Sequence, residues 1–159
     1  MKRAVIFSVL LSLFWVFNAS ALDFKVMDMR DQFVNQSQEI KALMIPKTKD
    51  GVLLTAMFDS CLLTATQLDA YFSMVSIFET LTEKDSGASA IKFITAWLDG
   101  IKNTGAVNIS SLDSARPAEQ KTMEQAKKLK IRFASLNKLV EDELRKFGAL
   151  SISARQQKK

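Results

Sequence analysis

Apolar residues recur every three or four positions along four stretches of this chain, which is the spacing of one face of an α-helix. The first stretch, residues 23–44, carries charged and amide side chains on its other face, and Asp23 is a candidate N-terminal cap. Gln36 is the one polar residue on the apolar side. That side is otherwise formed by Val26, Met29, Phe33, Ile40 and Leu43. The pattern predicts an amphipathic helix.

The second stretch, residues 51–82, is the least polar part of the chain after its N-terminal segment. Its apolar residues keep helical spacing and also spread beyond one face, as at Val52, Leu63 and Ile77. A helix that is apolar around most of its circumference is typical of a central helix that several neighbours cover. We therefore predict that residues 51–82 form the central helix of the fold.

Two further helices are predicted towards the C-terminus. Residues 86–102 carry one compact apolar stripe, and the polar sequence AVNISSLDSAR that follows at 106–116 is predicted to be a loop. Residues 117–147 carry another stripe, with acid–base pairs spaced i,i+4 on the other side. A proline at its first position and Gly148 after its last suit the two ends of that helix. Residues 151–159 are predicted to be a basic, disordered tail.

Strand signals are weak, because no run alternates between apolar and polar residues and no Asn-Gly or Asp-Gly turn joins two such runs. Four helices with apolar faces and short connections predict an all-α fold, a four-helix antiparallel bundle. We place this single helical domain at residues 22–150, because that length suffices for one core and not for two.

The N-terminal segment has the three parts of a cleavable signal peptide. Two basic residues precede an apolar run at residues 4–17, and the small residues Ala19 and Ala21 occupy the −3 and −1 positions of a cut before Leu22. We predict that residues 1–21 are removed on export. The mature chain is then periplasmic or secreted.

The alternative interpretation of this segment is a retained membrane anchor. As a helix, the apolar run would be about 21 Å long at ~1.5 Å per residue, which is short of the ~30 Å hydrocarbon core of a bilayer. We therefore favour cleavage. Asp59 interrupts the longest later apolar run, so we predict that the mature chain does not span a membrane.

Composition excludes several function classes. The sequence contains no histidine, which removes Ser-His and Cys-His nucleophile pairs and the main ligand of catalytic zinc, copper and haem iron. Residues 1–21 hold two basic and no acidic residues, so their removal lowers the net charge from +5 to +3. Neither that charge nor export favours nucleic acid as a partner. We predict that the chain is not an enzyme and needs no cofactor or metal.

Three carboxylates on the second helix are the remaining catalytic candidates. Asp59, Asp69 and Glu79 follow one another at intervals of ten residues. Each is therefore rotated by about 80° from the one before, at ~100° per residue of α-helix. They do not converge on one place, and we predict that each is solvated.

Cys61 is the only cysteine, so no disulfide within the chain is possible. Its apolar surroundings favour a buried small hydrophobe over a reactive thiol or an intermolecular disulfide. Asn35 and Asn108 match the acceptor pattern for N-glycosylation, which matters only in a eukaryotic host.

These observations lead to a function hypothesis that rests on binding. The leading hypothesis is a non-enzymatic, exported helical protein that binds another macromolecule of the envelope or extracellular space, with a protein as the expected partner. The expected contact is the loop at residues 106–116 or the exposed side of the first helix. The alternative is a bundle that holds an apolar small ligand or lipid between its helices. A homodimer, in which a second copy covers the apolar surface of residues 51–81, is a variant of the leading hypothesis.

Overall fold

The structure, a computed structural model, describes residues 24–44, 48–80 and 84–156 of the chain. Side chains are described at residues 24–44, 48–78 and 89–149. The processing residues Ala19, Ala21 and Leu22 and the candidate cap Asp23 lie outside the described residues, so signal cleavage stays a prediction.

Four α-helices and no strands make up the described residues, which confirms the all-helical prediction. They are α1 at residues 24–41, α2 at Gly51–Thr80, α3 at Lys84–Ser114 and α4 at Gln120–Gln156. Each helix buries its apolar stripe against the others, because none of them can shield that stripe from water alone. The result is a helical bundle.

The third helix is longer than the sequence pattern predicts. Residues 106–114, expected to belong to a loop, continue α3 without interruption. Their polar side chains do not break the helix, because Asn108 and Ser114 donate hydrogen bonds to the carbonyl oxygens four residues earlier, at 2.9 Å and 3.1 Å. Ile109 and Leu112 pack against the core, so the apolar face also continues. The prediction of a long polar contact loop is therefore wrong.

The fourth helix also runs past its predicted end. Gly148 does not terminate α4, which continues to Gln156. Among the described residues no glycine, Gly148 included, has the positive φ that is typical of a C-terminal cap. Residues 151–156 of the expected disordered tail are helical. At the other end, the start of α4 is capped from a distance. The carboxylate of Asp50 accepts the backbone N–H groups of Ala118 and Glu119, each at 2.9 Å.

Contacts between helices fix their relative directions. Two contacts in each of three helix pairs show this: the contact that lies further along one helix lies nearer the start of the other. The contacts are Lys102–Glu141 and Asp113–Lys130 between α3 and α4, Ser60–Asn108 and Gln67–Trp97 between α2 and α3, and Gln32–Arg132 and Glu39–Lys128 between α1 and α4. In each of these pairs the two helices run in opposite directions.

The core lies between the four helices. Phe33 of α1 and Phe133 of α4 are both fully buried, with ring centroids 5.1 Å apart. Gln36, the polar residue on the predicted apolar side of α1, is fully buried too, and its amide donates to Gln125 of α4. Helical spacing therefore identifies most of the buried side of α1, including Gln36, but does not identify Ser37, which is also fully buried.

Candidate functional site

α2 carries two lines of residues, each repeating at alternating intervals of three and four. The first line faces the core and contains only buried side chains. These are Leu54, Met57, Cys61, Thr64, Leu68, Tyr71 and Val75. Intervals of three and four are those of a coiled-coil contact. This face of α2 is therefore fully used inside the bundle.

The second line, called the outer seam here, lies on the opposite side of α2. Val52 is 88% exposed, Leu63 54% and Ile77 61%. The outer seam consists of Val52, Ala56, Asp59, Leu63, Thr66, Ala70, Ser73 and Ile77, all exposed except for the half-buried Ala70. We expected several neighbours to cover residues 51–82 on most sides. That expectation is wrong for the outer seam, where seven of the eight side chains are exposed.

The outer seam is almost free of charge. α2 contains no lysine or arginine, and Asp59 is the one charged residue of the seam. The hydroxyl groups of Thr55, Thr66 and Ser73 donate to carbonyl oxygens four residues earlier in α2, at 2.9 Å, 3.0 Å and 3.0 Å. Because these hydrogen bonds stay within the helix, the hydroxyls place little demand on an external partner. The face is therefore more apolar than its composition suggests.

Two depressions flank the N-terminal end of the outer seam. One, of about 600 Å³, lies beside Thr55 and Asp59. The other, of about 500 Å³, lies between α2 and the end of α3 at Ser111. Val52 and Ala56 line both. Both open to solvent on the surface, so a side chain from another molecule has room on either side of this part of the seam.

Phe93 of α3 extends the exposed apolar surface beside α2. Its side chain is 60% exposed, and it precedes Trp97 by one helical turn on the same side of α3. Trp97 donates from Nε1 to the carbonyl oxygen of Gln67 at 3.1 Å. That hydrogen bond places this side of α3 against α2.

α2 is long and apolar enough to cross a membrane, by length and composition alone, over Gly51–Phe78. It is the one such helix in the described part of the chain, and 33% of its most apolar stretch is buried inside the bundle. The core helix of a soluble protein passes the same test. The absence of a membrane span in the mature chain stays a prediction.

The carboxylate candidates of α2 are not brought together. Asp59 is exposed on the outer seam, whereas Asp69 lies at the edge facing α1, where Arg30 donates from Nε to its Oδ1 at 3.1 Å. A hydrogen bond to Asp31 and the charge of Asp69 raise the pKa of Arg30. The side chain of Glu79 lies outside the described residues. Among the side chains that are described, no three of His, Cys, Asp or Glu are placed to hold a metal ion.

Sequence reasoning missed the buried carboxylate of Asp50, described above, and that of Glu143 on α4. The side chain of Glu143 is 1% exposed, and Oε2 accepts a hydrogen bond from the hydroxyl of the buried Tyr71 at 2.8 Å. Lys146 supplies the second partner, with Nζ 2.9 Å from Oε1. A signal for this was present in the pattern. Position 143 continues the intervals of three and four between Val140 and Phe147, and an acid occupies it.

Cys61 is fully buried in the core. Burial raises the pKa of its thiol to about 12, so the group is protonated at neutral pH. This is the environment of a small hydrophobe rather than of a reactive thiol. Of the two glycosylation patterns, Asn35 is exposed, whereas Asn108 is half-buried and accepts a hydrogen bond from Ser60 at 2.8 Å.

Comparison with known proteins identifies no relative. No family model, no curated protein and no solved structure matches the chain. The outer seam has to be interpreted from its own geometry and chemistry.

Proposed function

We propose that this chain is an exported, non-enzymatic antiparallel four-helix bundle that binds another macromolecule of the cell envelope or extracellular space through the outer seam of α2. The observation that carries the proposal is an exposed, nearly uncharged helical face with regular intervals of three and four. Such a face matches the way one helix packs against another. A protein is therefore the expected partner.

Export is supported by the pattern of residues 1–21. A basic start, an apolar run and small residues before the cut belong to chains that pass a membrane and lose this segment. The antiparallel arrangement is supported by the opposite directions of α1 and α4, α2 and α3, and α3 and α4.

Burial of the outer seam would supply a useful binding energy. Covering a fully exposed large aliphatic side chain contributes ~1.5–3 kcal/mol. Scaled by their exposures, Val52, Leu63 and Ile77 would together contribute about 3–6 kcal/mol before the costs of association. One such face is therefore sufficient for a specific but moderate contact, and the flanking depressions and Phe93 would add to it.

Binding is favoured over catalysis and over transport of a small ligand. The sequence has no histidine, and Asp59 and Asp69 occupy different edges of α2. The two depressions beside Val52 open to solvent at the surface, and neither is enclosed in the core of the bundle. An apolar ligand held inside the bundle remains the second hypothesis.

Photo-cross-linking in the producing cell tests the proposal. A photoreactive residue replaces Thr66 on the outer seam in the tagged full chain, and the matched control places the same residue at Ser135, an exposed position of α4. We expect the Thr66 probe to capture a discrete macromolecule that the Ser135 probe does not capture. Equal capture from both positions would contradict the outer seam as the binding surface.

The same experiment with substitutions sharpens the result. Leu63→Glu introduces a charge into the outer seam, and Ile131→Glu does the same on α4, where Ile131 is 67% exposed. Both changes lie at exposed mid-helix positions, so they impose a similar burden on folding. Capture by the Thr66 probe should fall at least tenfold with Leu63→Glu and stay unchanged with Ile131→Glu. An unchanged yield with both would overturn the assignment.

A further inference from the structure

We propose that the outer seam is the self-association surface of this protein: it packs against the outer seam of a second copy in an antiparallel, two-fold symmetric dimer. This inference rests on the proposed function, because it uses the same surface and names one occupant of it. It is argued from the spacing, charge and dimensions of the seam.

The spacing of the outer seam reads the same in both directions. From Val52 to Ile77 the intervals between successive members are 4, 3, 4, 3, 4, 3 and 4 residues. A two-fold axis between Leu63 and Thr66 therefore places every member opposite another member. Val52 meets Ile77 of the second copy, Ala56 meets Ser73, Asp59 meets Ala70, and Leu63 meets Thr66. A self-complementary patch of this kind is what a two-fold interface requires.

The single charge selects the antiparallel direction. In a parallel pair, Asp59 would lie beside Asp59 of the second copy, and two like charges would meet in an apolar contact. In the antiparallel pair, Asp59 lies opposite Ala70. The two Asp59 carboxylates are then eleven positions apart along the axis, or about 16 Å at ~1.5 Å per residue. That separation exceeds the ~8 Å Debye length at physiological ionic strength, so their repulsion is largely screened.

The same charge argues against a lipid surface as the occupant. Helices that lie on anionic membranes carry lysine and arginine on the polar face, and α2 has neither. A carboxylate in the middle of the apolar face, as at Asp59, is costly in hydrocarbon. In a protein contact it can sit beside the small side chain of Ala70 and remain partly hydrated.

The dimensions suit a moderate dimer. The outer seam is about 40 Å long, and a helix with its side chains is about 12 Å wide, so each copy offers roughly 500 Å² and a pair roughly 1,000 Å². This is the lower end of specific interfaces. The small side chains of Ala56, Thr66, Ala70 and Ser73 allow the two helix axes to approach closely. The depressions beside Val52 lie where the second copy brings Ser73 and Ile77.

Disulfide formation between engineered cysteines tests the direction and register. Asp59→Cys and Ala70→Cys are made separately in the full chain recovered from the producing cell, and each is oxidised alone and as an equal mixture. The native Cys61 does not interfere, because it is buried and its thiol has a pKa of about 12. We expect the mixture to give at least tenfold more covalent dimer than either protein alone. A dimer formed by Asp59→Cys alone would overturn the antiparallel register.

Sedimentation equilibrium tests the association itself. The native chain should dimerise with a roughly micromolar dissociation constant, because the contact is small and the costs of association offset much of the burial energy. Leu63→Glu should weaken the dimer at least about thirtyfold, because it buries an unpaired carboxylate in the contact. Ile131→Glu should change the constant less than about threefold, since that residue lies outside the contact. A native chain that stays monomeric at several hundred micromolar, or equal effects of the two substitutions, would overturn the dimer.

The outcomes separate this inference from the proposed function. If the native chain is monomeric but the Thr66 probe captures a different macromolecule, the dimer is wrong and the binding function stands. If sedimentation shows the dimer and the probe captures only the chain itself, the dimer is supported and binding to another macromolecule through the seam is overturned.

Discussion

The hydrogen bond between Tyr71 and Glu143 should make a measurable contribution to the stability of the bundle. It joins α2 to α4 inside the core, over 2.8 Å, and both side chains are nearly fully buried. Tyr71→Phe removes the hydroxyl donor and keeps the ring. The carboxylate of Glu143 is then left with Lys146, whose own side chain is half exposed. We expect the variant to fold and to be less stable.

The magnitude follows from the charge of the acceptor. A hydrogen bond to a charged group contributes ~1.5–3 kcal/mol, and a buried acceptor without its donor keeps the cost of its desolvation. We expect Tyr71→Phe to lower the free energy of unfolding by about 2 kcal/mol. For a domain of this length that corresponds to a decrease in Tm of roughly 6–8 °C.

A double-mutant cycle separates the hydrogen bond from other effects of the substitution. Glu143→Leu removes the carboxylate and places an apolar side chain between the buried Val140 and Phe147. In that background Tyr71→Phe should cost at least about 1 kcal/mol less than in the native chain, because the Glu143 acceptor is gone. Urea unfolding followed by circular dichroism measures all four proteins, and the m-value checks that the unfolding transition stays comparable.

A matched control makes the cycle decisive. Glu141 is two residues earlier on α4 and pairs on the surface with Lys102 at 2.9 Å. In a Glu141→Leu background, Tyr71→Phe should keep its full cost of about 2 kcal/mol. If Tyr71→Phe costs the same in the Glu143→Leu background as in the native chain, the hydrogen bond is not the source of its effect and the reasoning fails.

Three further predictions concern single groups. An added Cβ at Gly100 meets no atom, whereas at Gly105 it would overlap the amide of Asn137. Gly100→Ala should therefore raise the free energy of unfolding by about 0.5–1 kcal/mol. Gly105→Ala should be about 1 kcal/mol less stable than Gly100→Ala, and thermal unfolding compares the two variants. The backbone N–H groups at the start of α4 lower the pKa of Asp50. Its stabilisation is thus present above the unfolded pKa of ~3.9 and is lost as pH falls through the lower pKa of the folded state. Asp50→Asn should therefore lower Tm at pH 7 and make progressively less difference as the pH falls below about 3.9. The thiol of Cys61 is buried with a pKa of about 12, and iodoacetamide at pH 8 should label it at least about a hundredfold faster in denaturant than in the native protein.

Helical spacing predicts the parts of this fold that depend on neighbouring residues in the sequence. The buried side of α1, with Phe33 and Ile40, follows from apolar intervals. The start of α2 at Gly51 follows from the apolar intervals that begin there. Burial of an amphipathic stripe needs only some apolar partner. The identity of that partner does not have to be known for the stripe to be recognised.

Polar composition alone underestimates the length of α3, because polar residues are a weak signal for a loop. The segment at 106–114 contains neither proline nor glycine, which are the residues that interrupt a helix. Its serine and asparagine side chains can bond to the carbonyl oxygens one turn earlier, as Asn108 does to Thr104 at 2.9 Å. Polarity describes which side of a helix meets water, and it does not by itself end one.

Burial of the Glu143 carboxylate depends on how α2 and α4 are aligned along their axes, because this alignment decides which residue of α2 lies opposite Glu143. An acid at a core-facing position is stable only where a donor from another helix reaches it. Tyr71 reaches it at 2.8 Å, and the two residues are far apart in the sequence. The sequence shows that an acid occupies a core-facing position of the helix. It does not show which donor lies opposite, and only the structure identifies Tyr71 as that donor.

The outer seam poses the same problem in a more general form. Sequence alone indicates that α2 is apolar around most of its circumference, and a helix of that kind needs neighbours on most sides. Within the described residues, the other helices cover the inner line of α2, from Leu54 to Val75, and leave Val52, Leu63 and Ile77 exposed. The neighbour that we propose for these side chains is a second copy of the chain. The spacing of the seam is symmetric about its centre. When a second copy runs in the opposite direction, its Asp59 lies far from Asp59 of the first copy. Binding to an unrelated partner requires neither property, whereas the proposed antiparallel pairing of two copies uses both.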